Sequence, residues 1–336
     1  MGKGGGVAFS RFPSRHRRIG AATAAAVLAA GLALAPGAPA RANDSSAELA
    51  AGGLRLTHNA DIRIEAEDLH VSRRQIRVSY VFRNLSDQPQ TVLVAFPLPE
   101  IDMAELGDGD VGIISADPVN FVDFTVSVDG VSVQPEVAER ASLFGLDVSD
   151  TLNRAGLPLN PMADGVWQQI LALPETTQKE LVEDGLVIVD GDYAQPLWRY
   201  GVVFYWRQTF PPGRPVRIEH SYAPVAGASV WYEEFFTEPA QARQFCIEPS
   251  FAQAAVRKAR AMGDTYPTIH WVSYILTTGA NWAGTIDDFR LTVDKGTPES
   301  LVSLCRDGIK KTGPSTFEWR AEDYWPDQDL KVLFVE

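Results

Sequence analysis

The sequence predicts a mainly β protein of the α+β type: two β-sandwich-like halves with a small helical insertion between them. Three observations carry this. Apolar and polar residues alternate at period two through 77–99, and again through 198–222. From Val137 the apolar spacing loosens toward a helical period. Turn chemistry, such as Asp129-Gly130 and Pro211-Pro212-Gly213, separates the strand-like runs.

The chain opens with Arg15, Arg17 and Arg18, an uncharged Ala/Leu-rich run over 19–35, and Ala40-Arg41-Ala42, a small-x-small cleavage pattern. This predicts a secretory signal peptide over 1–42, with Asn43 as the first mature residue. The run is short for a membrane span and is diluted with Ala and Gly. No later run is long enough, so the mature chain is expected to carry no integral span and to be periplasmic or secreted after cleavage near Ala42. The 336 residues carry a net charge of −13, with 30 basic and 43 acidic side chains. The leader holds six of the basic residues and none of the acidic ones, which leaves the mature chain at −19. Such a surface repels phosphate backbones and anionic lipid, so nucleic acid is not an expected partner. Cys246 and Cys305 are the two cysteines. In an exported chain they predict one disulfide, and they are too few for a cysteine metal site.

Taken in order, 43–51 is polar with helix propensity, and 54–56 and 62–64 begin an extended region. Glu65, Glu67 and Asp68 are expected on a solvated strand edge. Within 77–99, Val78, Tyr80 and Phe82 form one alternating set and Val92, Val94 and Phe96 another. The Asn, Ser, Asp and Pro between them predict a turn and hence a hairpin, which needs a second sheet over its apolar face. Residues 101–110 hold Asp102, Glu105, Asp108 and Asp110 at spacings unlike a calcium-binding EF-hand loop, so a solvated loop is expected. Short helices are expected near Ser149, over 166–173 and from 178 to 184, the last opened by Thr177-x-x-Glu180 and closed by Gly185. Strand character returns at Trp198 as a second hairpin. A helix follows from Ser250 to Met262, then strands near 271–276, 289–293 and 330–335. The expected divisions are 1–42 (signal peptide), 43–136 (N-terminal β-sandwich region), 137–195 (helical insertion) and 196–336 (C-terminal β region with one helix and a disulfide). Phe124-Thr-Val-Ser-Val-Asp129 echoes Phe289-Arg-Leu-Thr-Val-Asp294, which fits two related halves.

Three stretches carry a resemblance to a known family: Asn43-Asp-Ser-Ser-Ala-Glu-Leu-Ala-Ala-Gly-Gly-Leu54, Phe96-Pro-Leu-Pro99, and the run from Asn281-Trp282 through Phe289–Gly296 to Cys305 and 330–335. Together they make the chain similar to a bacterial exported family classed as domain of unknown function 4424. The similarity covers nearly the whole mature chain. It implies export and brings no known substrate, cofactor or catalytic residue.

No chemical signature stands out. His58, His70, His220 and His270 form no zinc-binding helix pair, and neither a Gly-x-Ser-x-Gly elbow nor a phosphate-cradling loop is present. Asp287-Asp288 and Glu233-Glu234 are adjacent, so on a strand each pair splits between two faces. No catalytic residue, metal ligand or cofactor is assigned. The favoured reading is a non-catalytic binding or structural module of the cell envelope, with an envelope protein or a glycan as partner. Its candidate contact residues are Trp231, Tyr232, Phe235 and Phe236, because four aromatics in six positions exceed what one strand face buries. The other class is a hydrolase whose site lies between the sandwich and the helical insertion, with His220 or His270 beside carboxylates.

Overall fold

The polar start is strand, not helix. The computed structural model describes residues 43–50, 53–103, 117–263 and 265–336. In it β1 (Ser45–Ala50) forms an edge hairpin with β2 (Gly53–Thr57). Helix propensity yields here to ladder pairing, with Ser45 opposite Ala95 and Ala47 opposite Leu93. β3 (Ile62–Ser72) and β4 (Ile76–Asn84) form a long hairpin, followed by β5 (Gln90–Pro97). β6 (Thr125–Val128) and β7 (Val131–Val133) flank Asp129 and Gly130, whose φ angles of 49° and 78° make the tight turn the sequence predicts.

Residues 137–143, expected to open the helical insertion, are instead strand, within β8 (Glu136–Leu143), which is paired with β12 (Arg199–Phe210) and joined to β9 (Leu146–Asp147). Helix begins at α1 (Ser149–Ala155) and continues in α2 (Val166–Ala172) and α3 (Glu175–Glu183). Thr177 lies inside α3, which starts after Pro174. The hairpin β10 (Val187–Asp190) and β11 (Tyr193–Pro196) completes the insertion. A small core of its own, including Leu152, Ile170, Leu181 and Trp198, holds this unit together.

The remaining strands are β12 (Arg199–Phe210), β13 (Val216–Tyr222), β14 (Gly227–Ser229), β15 (Ile269–Tyr274), β16 (Ile286–Asp294), β17 (Leu301–Leu304), β18 (Lys310–Lys311), β19 (Thr316–Tyr324) and β20 (Leu330–Val335). Helices α4 (Pro239–Phe245) and α5 (Pro249–Ala261) precede β15. Among the described residues, one large sheet has the order β2-β1-β5-β12-β8-β9 and the other β18-β19-β16-β3-β4-β13-β6-β7. A smaller sheet, β14-β15-β20-β17, packs α4 and α5 on one side. The fold is mainly β with helices in the insertion and before β15. Both large sheets mix strands of the two expected halves, 43–136 and 196–336, because β16 pairs β3 and β12 pairs β5.

The two expected hairpins, 77–99 and 198–222, are arches. β4 lies in the eight-stranded sheet and β5 in the six-stranded one, and β13 and β12 divide in the same way. Alternation sets which face of a strand is buried but not which strand lies beside it. Here the apolar faces meet across the core: Val78, Tyr80 and Phe82 look toward the layer that holds Val94 and Phe96. The arches clasp each other, with β4 antiparallel to β13 and β5 antiparallel to β12. Asn84 pins their bends. Its Nδ2 donates to the carbonyls of Gln88 and Phe210, both at 2.8 Å, and its Oδ1 accepts from the Ser86 amide at 2.9 Å. Cys246 and Cys305 sit at disulfide distance, Cα to Cα 5.0 Å, tying the end of α4 to the residue after β17.

Asn84→Ala removes a donor from the buried Phe210 carbonyl and from the more exposed Gln88 carbonyl, a loss of about 1–3 kcal/mol. Urea unfolding is expected to show a lower midpoint with an unchanged slope. An unchanged midpoint would remove Asn84 as the pin.

Candidate functional site

The polar centre of the molecule lies inside the sandwich, and β3 explains how a carboxylate reaches it. Ile62 and Ile64 point inward from even positions, whereas Leu69 and Val71 point inward from odd ones. A bulge between Ile64 and Ala66 makes the change of parity. It turns Glu67 into the core, where it is 1% exposed. The solvated edge expected for Glu65, Glu67 and Asp68 is therefore corrected for Glu67. Glu65 and Asp68 are partly exposed and pair with Arg83 and Arg290.

Glu67 meets the polar start of the chain. Asn43 and Asp44 are fully buried. Asn43 Nδ2 donates to Glu67 Oε2 at 3.1 Å, and its Oδ1 accepts from the Tyr80 hydroxyl. That hydroxyl lies 2.9 Å from the Tyr274 hydroxyl. Thr278 grips the Asn43 backbone from both sides, accepting from its N–H and donating to its carbonyl at 2.7 Å. Trp282 Nε1 donates to the Asp44 carbonyl at 2.6 Å. Asp44 Oδ1 lies 3.0 Å from His220 Nε2, with both side chains closed off from solvent. The rings of Phe96, Phe124, Trp206 and Tyr80 surround the imidazole, with centroids 4.8, 5.3, 5.4 and 5.7 Å away.

Burial sets the electrostatics. It pushes the Glu67 carboxyl up to about 8, against the lowering effect of the Asn43 hydrogen bond. It raises Asp44 as well, opposed by His220. The Tyr80 and Tyr274 hydroxyls are held well above the usual phenol range, burial again being the first cause. Glu67 Oε1 and Asp44 Oδ2 are buried without a hydrogen-bond partner among the described residues. A histidine and a carboxylate thus converge, as the hydrolase reading required. They do so inside the sandwich instead of in an opening beside the insertion, and the pair has no face toward a dissolved substrate.

The other candidate residues are spread over the surface and the smaller sheet. Phe235 and Phe236, in a 3₁₀ turn (Glu233–Phe236), are buried with Phe245, Ile269 and Leu333. Trp231 and Tyr232 are half-buried against them, with ring centroids 5.2 Å from Phe236 and 5.6 Å from Phe235. His270, on β15, is half-buried and its pKa is lowered, first by burial and then by Arg73. His70 is also lowered, by burial and Arg77. Asp102 pairs with Arg199 at 2.7 Å, while Glu105, Asp108 and Asp110 lie outside the described residues. Among the described residues no cluster of His, Cys, Asp and Glu could hold a metal ion. No helix among them is long and apolar enough to cross a membrane.

One surface escaped the sequence reading. Phe144, at the tip of the β8–β9 hairpin, is 95% exposed and has a φ of 49°. Left-handed backbone disfavours a bulky side chain, so this exposed ring sits at a strained position. Leu146 stands beside it, 72% exposed. A Cβ at Gly185 would touch Leu143, which places the tip next to the α3–β10 turn. Exposed Val182 and Ile188 flank that turn.

A family model matches residues 42–333. The chain belongs to the family described as Domain of unknown function (DUF4424). No curated protein matches. Among solved structures it is similar to a Legionella pneumophila subsp. pneumophila str. Philadelphia 1 protein titled "putative nutrient binding protein", with 16% identity and a TM-score of 0.44 over 88% of this chain and 71% of that one. It is also similar to an M1 zinc metallopeptidase from Deinococcus radiodurans, with 9% identity and a TM-score of 0.28 over 83% of this chain and 43% of the peptidase. The chain thus spans less than half of the peptidase.

The raised Glu67 carboxyl gives a pH signature. While the Asn43 nitrogen is part of a peptide bond, the folded state keeps a Glu67 proton that the unfolded chain gives up near pH 4.5. Stability then falls as pH rises from about 5 to about 8. Asp44 shifts in the same direction, and Tyr80, Tyr274 and Tyr324 face the cluster without titrating in that window. Thermal unfolding from pH 5 to 8 is expected to show this decline, and Glu67→Gln to make it shallower. An equal slope in both proteins would place the dependence elsewhere.

Proposed function

We propose that this is an exported protein of the cell envelope that acts as a binding module, not a catalyst, and that its contact surface is the apolar tip of the insertion. Export is supported by the leader pattern, by the cysteine pair, and by a family match that begins at residue 42, beside the proposed cleavage after Ala42. The binding role rests chiefly on one observation: Phe144 stands almost wholly in solvent on strained backbone, with Leu146 exposed two residues on and with exposed Val182 and Ile188 flanking the turn that Leu143 reaches. A contiguous exposed apolar patch marks a contact site more often than an accident of surface composition. Asp184, Asp190 and Asp192 lie on the adjoining turns, which favours an envelope protein with an apolar anchor and a basic rim. Trp231 and Tyr232 offer a second, flatter edge that suits a glycan or a protein loop.

A photoreactive amino acid placed at 144, at 231 and at Lys310 tests this in the native host. The expected result is a discrete crosslinked species from position 144 and none from 310, lost when Leu146 and Ile188 are both changed to Ser while the melting temperature holds. No adduct at either 144 or 231 would contradict a contact role for both surfaces.

A further inference from the structure

The core encloses two carboxylates that the surrounding side chains leave half-satisfied. Glu67 Oε1 and Asp44 Oδ2 are buried without a hydrogen-bond partner among the described residues, and neither residue has a Lys or Arg against it there. His220, on Asp44, is the basic side chain in the cluster. Buried carboxylates are costly unless paired and hydrogen-bonded. The backbone nitrogen of Asn43 connects to both through its own residue. It donates to Thr278 Oγ1, its own side chain bonds Glu67, and Asp44 is the next residue. The seat is fitted to that residue. A Cβ on Gly279 would stand 2.7 Å from Asn43 Nδ2 and 3.2 Å from Pro326 Cγ, so a larger side chain there would evict Asn43.

We infer that this cluster is an internal receptor for a free α-ammonium group, and that its ligand is the chain's own N-terminus, released at Asn43 by cleavage after Ala42. The inference rests on the cleavage proposed above. A signal peptidase adds water across the Ala42–Asn43 peptide bond: the C–N bond breaks, hydroxyl goes to the Ala42 carbonyl carbon and the nitrogen gains protons. A peptide nitrogen has one N–H, which Thr278 takes. The ammonium has three N–H donors and a positive charge. One donor stays on Thr278, and two remain for the carboxylate oxygens of Glu67 and Asp44. Removal of the leader thus completes the core, and export is coupled to final closure of the sandwich.

The test uses a recombinant chain that begins at Asn43 and one that carries Gly-Ser ahead of it, each with Glu67 and with Glu67→Gln. The extension is expected to lower the melting temperature by about 5 °C or more with Glu67 present, and by less than half as much with Glu67→Gln. An equal drop in both backgrounds would mean steric exclusion only and would overturn the receptor. The second arm needs no variant. An N-terminus-selective amine reagent should modify folded protein at least tenfold more slowly than protein in denaturant. Equal rates would overturn the proposal even if the glutamine variant fails to fold. Secreted protein that starts elsewhere than Asn43 would refute the cleavage, whereas a reactive amine on the chain starting at Asn43 would refute the receptor.

Discussion

The structure depends on burying Asn43 and Asp44. Two residues at the edge of a strand bring a carboxylate, an amide and four backbone polar groups into an aromatic core. Each of these groups raises a cost that only close partners offset. The partners come from two sheets and a turn: Glu67 from β3, Tyr80 from β4 and His220 from β13 in the eight-stranded sheet, Tyr274 from β15 in the smaller one, and Thr278 and Trp282 from the turn ahead of β16. Strands far apart in sequence are thereby held to one register. The clasped arches supply apolar area, and the polar cluster selects a single way of closing them.

The His220–Asp44 contact is enclosed by rings and links β13 to the start of the described chain. What the molecule offers to solvent is different: a charged outer sheet face, where Arg63 meets Asp287 and Arg290 meets Asp68, and an insertion whose tip carries Phe144 and Leu146. Surface ion pairs of this kind contribute little to stability.

Much of this was legible in the residues. Period-two alternation located β4, β5, β12 and β13, and Asp129-Gly130 located the β6–β7 turn. Pairing was not legible, because an arch and a hairpin share the same alternation and differ only in which neighbour completes the ladder. Strand β8 was missed because Glu136–Leu143 lies on a partly exposed sheet edge and alternates weakly. Strand β1 was missed because Ser, Ala and Glu favour helix where no ladder is available. Glu67 could have been found. The inward apolar residues step from 62 and 64 to 69 and 71, and a parity change within one strand implies a bulge that turns an odd position inward. Phe144 carried no local signal beyond Phe-Gly in a turn.

The most direct measurement of the central claim is hydrogen exchange on two chains, one beginning at Asn43 and one at Ser45. If Asn43 and Asp44 organise the core, the shorter chain loses protection in β3 around Glu67, in β13 around His220 and at 274–282, while the insertion over 149–196 is unchanged. Loss confined to β1 and β2 would contradict the account and reduce residues 43–44 to the end of an edge strand.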